Sequence, residues 1–230
     1  MNLIRVATFH SPFTSKFGIP RQSGLVERLR GRIVFERQFR DAEALRGIEG
    51  FDWLWLLWGF SANEQPEHDH FTATVRPPVL GGNERLGVWA TRSPNRPNPI
   101  GLSSVRIERV ETDTAEGPVV HVLGADLMDG TPIYDIKPYV PFTDAHPEAK
   151  GGFAAPHVGD RLAVTAAEGV ALPFDEEERR ILVECLACDP RPRYHDDPTR
   201  VYGMPFMGYD VRFSVSGDFL TIVGYAKNGG

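Results

Sequence analysis

Short extended segments follow one another through the first two-thirds of the chain, with almost nothing helical between them. Residues 3–9, 32–36, 53–60, 86–91, 100–110, 119–125 and 161–165 are rich in β-branched or aromatic side chains. Each is bounded by Gly, Pro or polar clusters, the marks of strands. One helical candidate, residues 38–47, interrupts them and ends at a glycine. Strand after strand with so little helix predicts a mainly β fold, a barrel or a sandwich, and excludes alternating βαβ units. No G-x-G-x-x-G motif follows a strand, so a dinucleotide-type Rossmann fold is disfavoured.

Between two of these segments lies GVWATRSPNRPNPIGLSSVRI, residues 87–107. Pro94, Pro97 and Pro99 each fix their own φ and push the preceding residue into extended geometry. The loop is therefore stiff and holds Arg92, Arg96 and two asparagines in set positions. A stiff cationic loop suits an anion or a flat ligand, because little entropy is left to lose on binding. It also suits a rigid surface turn, and composition leaves both readings open.

The same residues carry a family resemblance. ATRSPNRPNPIGLS resembles the signature of the TsaA-like (TrmO) family of S-adenosylmethionine-dependent tRNA methyltransferases. FGIPRQSGL (residues 17–25), TVRPPVLGGN (74–83) and DLMDGTPIYDIKPYVPF (126–142) match in the expected order. DPRPRY (189–194) resembles an element of the smaller C-terminal domain of bacterial members. The resemblance implies a single-sheet β-barrel; residues 146–160, rich in Pro, Gly and Ala, read as a linker or long loop, which sets a barrel domain at residues 1–145 and a last strand plus a small α+β tRNA-recognition domain at 161–230. The resemblance also implies S-adenosylmethionine as cofactor, the tRNA anticodon stem-loop as partner, a homodimer, and no metal.

By position in the motifs, the family's cofactor contacts fall on Pro20, Arg21 and Gln22, on Ser61 and Ala62, on Arg92, on Leu102, and on Asp129, Gly130, Thr131 and Pro132. Ser61 is a departure, since related sequences commonly carry a histidine there. The implied acceptor is N6 of a threonylcarbamoyl-adenosine beside the anticodon. Asp129 and Asp135 are the catalytic candidates, because that nitrogen must lose its proton. A tight turn at Asp129–Gly130 and a structural pair between Asp135 and Lys137 are the alternatives. Arg96, Lys137, Arg191, Arg193 and Tyr194 are the substrate-binding candidates. Two other functional readings stay open: a methyltransferase acting on another acceptor, and a non-catalytic RNA-binding relative.

The 230 residues carry a net charge of −6, which does not advertise a nucleic-acid binder. Local patches matter more. Residues 85–109 hold five arginines against Glu108 alone, and Arg191 with Arg193 forms a second cluster. The apolar run FDWLWLLWGF (51–60) is about half the length of a membrane-spanning helix and reads as a strand buried on both faces. The N-terminus lacks the pattern of a signal peptide, so a cytoplasmic location is expected. Cys185 and Cys188 form a lone C-x-x-C on a helix-like stretch, residues 175–187, where they read as small core side chains. HDH at residues 68–70 reads as solvated loop. Residues 209–216 and 219–225 alternate as strands and predict a hairpin turning at Gly217-Asp218.

Overall fold

The computed structural model describes residues 2–60, 72–81, 84–191 and 197–228. Its strands are β1 (Ala7–His10), β2 (Arg30–Phe35), β3 (Trp53–Gly59), β4 (Thr74–Val75), β5 (Leu86–Gly87), β6 (Ile100–Glu111), β7 (Val119–Leu123) and β8 (Thr131–Pro138). After them come the short helix α1 (Pro141–Asp144), β9 (Ala163–Ala166), helix α2 (Glu176–Ala187), β10 (Tyr202–Phe206), β11 (Tyr209–Ser216) and β12 (Phe219–Lys227). The fold is mainly β, as the strand succession predicts.

Six strands close into a barrel in the order β1-β2-β7-β6-β3-β8, with every neighbour antiparallel. Closure leaves no free sheet edge. Alternate residues point inward, and Phe9, Ile33, Leu54, Leu56, Val105, Val120, Val122 and Ile133 fill the interior. The expectation that residues 51–60 form a strand buried on both faces is corrected. Leu54, Leu56 and Trp58 are buried, whereas Trp53, Trp55 and Leu57 stand half-buried on the outer face. The chain itself covers part of that face: the Trp55 indole donates to Asp144 at 2.8 Å and packs against the Tyr139 ring at 5.5 Å.

The second sheet runs β10-β11-β12-β9, with β9 parallel to β12. The predicted hairpin turns between β11 and β12 at Gly217 and Asp218. Helix α2 starts at a capping box, in which Asp175 accepts from the Glu178 amide and Glu178 accepts from the Asp175 amide. Its buried face is Ile181, Leu182, Cys185 and Leu186. Both cysteines are free and burial pushes their thiols up; Cys185 is the core side chain expected, whereas Cys188, at the end of α2, is only half-buried.

Residues from the connection between β1 and β2 belong to this second core. Phe13, Val26 and Leu29 pack there, and the Phe17 ring stacks on Tyr202 at 6.4 Å. Gly18, at φ +96°, lies against Met204, where a Cβ would fall 2.3 Å from the sulfur. Only glycine allows both the dihedral and the approach.

Three other expectations change. Residues 38–47 form no α-helix but short 3-10 turns at Arg37–Phe39, Ala42–Leu45 and Ile48–Gly50. Asp41 breaks the run by capping the Glu43 amide, and of the residues in these turns Leu45 alone is buried, so no apolar stripe anchors a longer helix. Residues 86–91 pair with β4 only at Leu86–Gly87 and then turn through a 3-10 stretch, Val88–Ala90. Strands β8 and β10 went unread, β8 because Asp135 and Lys137 mask its alternation and β10 because Pro205 lies inside it. In the structure β8 is paired on both sides, and β10 is an edge strand, where proline is tolerated. No helix among the described residues is long and apolar enough to cross a membrane.

Candidate active site

The barrel register fixes two mouths. The upper one gathers the C-terminal ends of β1, β3 and β7 and the starts of β2, β6 and β8. Every described residue assigned to the cofactor lies in the loops or strand ends of that mouth. A cleft of about 1060 Å³ opens beside it, lined by the proline-rich loop, residues 21–25, residues 72–79 and residues 151–161. Arg21, Arg76, Arg92 and Arg161 line it, with Asp160 as the carboxylate among the lining residues. Such a surface favours an anionic ligand.

Arg92 is exposed in this cleft and donates to the Gln22 side-chain oxygen at 2.5 Å, while the Gln22 amide donates to the Arg21 carbonyl at 2.7 Å. Pro20 is buried beneath them. Arg21 reaches the other way and donates to the carbonyls of Asp189 (3.1 Å) and Arg191 (3.3 Å). It thereby ties the barrel loop to the segment after α2. Arg191 itself pairs with Asp189 at 3.0 Å with both side chains largely buried, the loop-locking arrangement.

Arg96 does not face the cleft as a free cation. It donates to the carbonyls of Val88 (3.0 Å) and Thr91 (2.8 Å) and lies 5.6 Å from the centre of the Trp89 ring. The loop thus spends one arginine on its own rigidity and presents the other.

Asp129 sits at the upper mouth. Its carboxylate accepts from the Ser11 amide and meets His10 Nδ1, both at 3.1 Å. The Asp129 amide donates to the Phe13 carbonyl and the Gly130 amide to the Phe9 carbonyl. Gly130 takes φ +77° in this turn, and the Thr131 hydroxyl donates to the Met128 carbonyl at 2.7 Å. Pro132 pairs across to Thr8 on β1. Leu102 is 54% exposed on β6, opposite Leu57.

Asp135 and Lys137 are not brought to this mouth. They pair with each other at 2.7 Å farther down β8, and Asp135 lines a separate cavity of about 450 Å³ at the lower mouth. Ser61, Ala62, Arg193 and Tyr194, and the HDH triplet, lie outside the described residues. No group of metal-ligating side chains occurs among the described residues.

Two features escaped the sequence reading. His10 is 119 positions from Asp129, and nothing local marks it. The second is a polar chain linking β3, β6 and the segment after β7: the Trp58 indole donates to Ser103 Oγ at 3.0 Å, and that hydroxyl donates to Asp126 at 2.5 Å. Burial raises the Asp126 pKa, against hydrogen bonds from Ser103 and the Ser23 backbone and the positive charge of Arg92. Gly101 makes room for this chain, since a Cβ there would lie 2.2 Å from the Trp58 ring.

Comparison with known proteins assigns the chain to a family. Residues 8–145 match the tRNA-methyltransferase O N-terminal domain, and residues 163–228 match the TrmO C-terminal domain. The chain is 38% identical over 221 residues to the tRNA (adenine(37)-N6)-methyltransferase of Escherichia coli (strain K12), covering 92% of each. It is 50% identical over 143 residues to the protein of that name from Eikenella corrodens, covering 61% of this chain and 79% of the other. A crystal structure of TrmO from Pseudomonas aeruginosa superposes with a TM-score of 0.75 at 32% identity, covering 98% of both chains. The closed barrel and the two matched domains place this chain in the TrmO family.

Proposed function

We propose that this chain is an S-adenosylmethionine-dependent tRNA methyltransferase that modifies N6 of the adenosine beside the anticodon. The observation that carries the reading is the upper cleft, where segments far apart in sequence bring Arg21, Gln22 and Arg92 together. The relatives' names supply the reaction class, tRNA (adenine(37)-N6)-methyl transfer.

The residues fit such a cofactor. An exposed guanidinium held by Gln22 suits an amino-acid carboxylate, and the volume accommodates a nucleoside of that size. When bound, S-adenosylmethionine supplies an activated methyl on its sulfonium, so the protein's work is alignment and proton handling. Arg92 and Gln22 orient the ligand, and the Gly130 turn lets backbone approach it. Asp129, oriented by His10 and the Ser11 amide, takes or steers the proton that leaves the acceptor nitrogen. A carboxylate paired with an imidazole is a common base in such roles. Asp135 is too far down β8 to share that step.

The threonylcarbamoyl group on the acceptor is part of this proposal, and its carboxylate finds cations in Arg76 and Arg161. Residues 161–230 select the tRNA, cytoplasm is the expected location, and a homodimer is the proposed assembly, consistent with the 92% exposed Phe142 beside the half-buried outer face of β3. A concentration-independent monomer mass by light scattering removes the dimer from the reading.

The decisive test is incorporation of labelled methyl from S-adenosylmethionine into total tRNA from a strain lacking this activity. Label in an adenosine beside the anticodon is the expected result. Label elsewhere changes the acceptor, and no label, with tRNA still bound, leaves an RNA-binding relative.

A further inference from the structure

The proline-rich loop holds an exposed tryptophan in a fixed place. Trp89 is 69% exposed and lines the upper cleft. An exposed indole set in the wall of a cleft offers a flat apolar surface to a ligand there. The support beneath it is unusual. Arg96 folds back under the loop, donates to the carbonyls on either side of the Trp89 turn, at Val88 and Thr91, and lies 5.6 Å from the ring centre. Among the described residues the buried Arg96 Nε has no hydrogen-bond partner. The Thr91 hydroxyl adds a bond to the Val88 carbonyl at 2.9 Å. Prolines at 94, 97 and 99 stiffen what remains.

A rigid indole, one face against a pinned cation, beside a cleft rich in arginine: we propose that Trp89 is a stacking platform for a nucleobase bound in the upper cleft. The base belongs either to the adenosyl part of the cofactor or to a nucleotide of the tRNA anticodon loop. Aromatic stacking is the usual way to hold a splayed base, and the adjacent arginines meet the charged groups that accompany it. The inference rests on the methyltransferase reading and assigns that site one of its contacts.

Two titrations separate the sources. Tryptophan fluorescence is followed while S-adenosylhomocysteine, and separately anticodon stem-loop RNA, is added to wild type, Trp89→Phe and Trp89→Ala. The chain has four tryptophans, so the signal lost in Trp89→Phe is that of the ring in question. The wild type is quenched by at least one ligand, and Trp89→Phe loses the quench while keeping affinity within about threefold. Trp89→Ala weakens that same ligand roughly tenfold or more, the size expected for one stacked base, with an unchanged melting temperature. Weakening with S-adenosylhomocysteine alone assigns the cofactor base, and with RNA alone a tRNA base.

The proposal is overturned if wild type transfers methyl to tRNA and binds both ligands, yet Trp89→Ala binds both within twofold. It is equally overturned if Trp89→Ala changes the mass by light scattering without changing either affinity, because the ring then meets a second copy. Wild type that neither binds the ligands nor transfers methyl defeats the methyltransferase reading itself, and the stacking role with it.

Discussion

The two mouths of one barrel are built from the same six strands, yet only the upper one has the makings of a chemical site. The lower mouth holds a cavity of about 450 Å³ lined by side chains such as Val6, Phe35, Leu45 and Ile48, and its charged groups are neutralised locally. Asp135 is paired with Lys137 and accepts from the Ile136 amide, and Asp41 caps its own 3-10 turn. At the upper mouth, charge is held in place by neighbours from other segments: Arg92 by Gln22, Asp129 by His10 and Ser11, Asp126 by Ser103. A charge paired with its sequence neighbour is a structural device. A charge positioned from afar is available for a ligand, as Arg92 is where it lines the cleft.

The sharpest way to break this contrast is to exchange the two candidate carboxylates' fates. Asp129→Ala is expected to lower kcat for tRNA methylation by about a hundredfold, within the range for loss of a positioned proton acceptor. Asp135→Ala is expected to leave kcat within threefold. Single-turnover methyl transfer measures both, and equal losses end the distinction between the mouths.

Arg92→Ala comes next. Calorimetric titration with S-adenosylhomocysteine should show affinity at least tenfold weaker, with melting unchanged because the side chain is exposed and its hydrogen bond among the described residues is to the exposed Gln22. Unchanged cofactor affinity with weakened tRNA binding moves Arg92 to the RNA side.

A smaller effect, but one with a distinctive pH signature, is expected from Asp126→Asn. Burial raises the Asp126 pKa above the usual carboxylate value of 3.8, so folding favours its protonated form. That contribution to stability is complete below the usual value and is lost as pH rises through the raised one. The carboxylate that faces Arg92 appears over the same rise, and methylation should climb with it. In Asp126→Asn the activity is several-fold lower and this limb is absent from the kcat/KM profile. A wild-type limb persisting in the variant assigns it to another group.

The smallest change belongs to the lower mouth. Lys137→Ala removes an exposed ion pair with Asp135, an interaction worth about 0–1 kcal/mol. Activity within twofold and a melting temperature within a degree or two are expected. A tenfold loss of tRNA affinity would restore Lys137 as a substrate contact and make the lower mouth functional.

How much of this was legible beforehand differs element by element. Period-two alternation in residues 209–216 is strong because that strand has one buried face, and the capping box at Asp175 marks the start of α2 within one residue, whereas the unbroken apolar run at 51–60 hides which face of β3 is buried. Where a strand carries charge or proline, as in β8 and β10, alternation fails, and pairing from neighbouring strands supplies what the local pattern lacks. At the candidate site, motif positions pointed to Arg92, Gln22 and Asp129, but their placement relative to Arg96 and His10 emerged only in three dimensions. Arg92 and Arg96 are four residues apart in one loop and look alike in sequence; one faces the cleft and the other supports Trp89.

By itself, the sequence determined what depends on near neighbours: a mainly β chain, a stiff cationic loop, a helix with a defined start and apolar face, and its family. Alternation, proline geometry and capping act over a few residues, so they can be read in one dimension. Tertiary structure alone decided which end of the barrel each charge occupies, that Asp129 meets His10, and that residues 11–29 pack into the second core. These are long-range contacts set by strand register and barrel closure. A one-residue slip in register would turn every side chain of a strand to the opposite face.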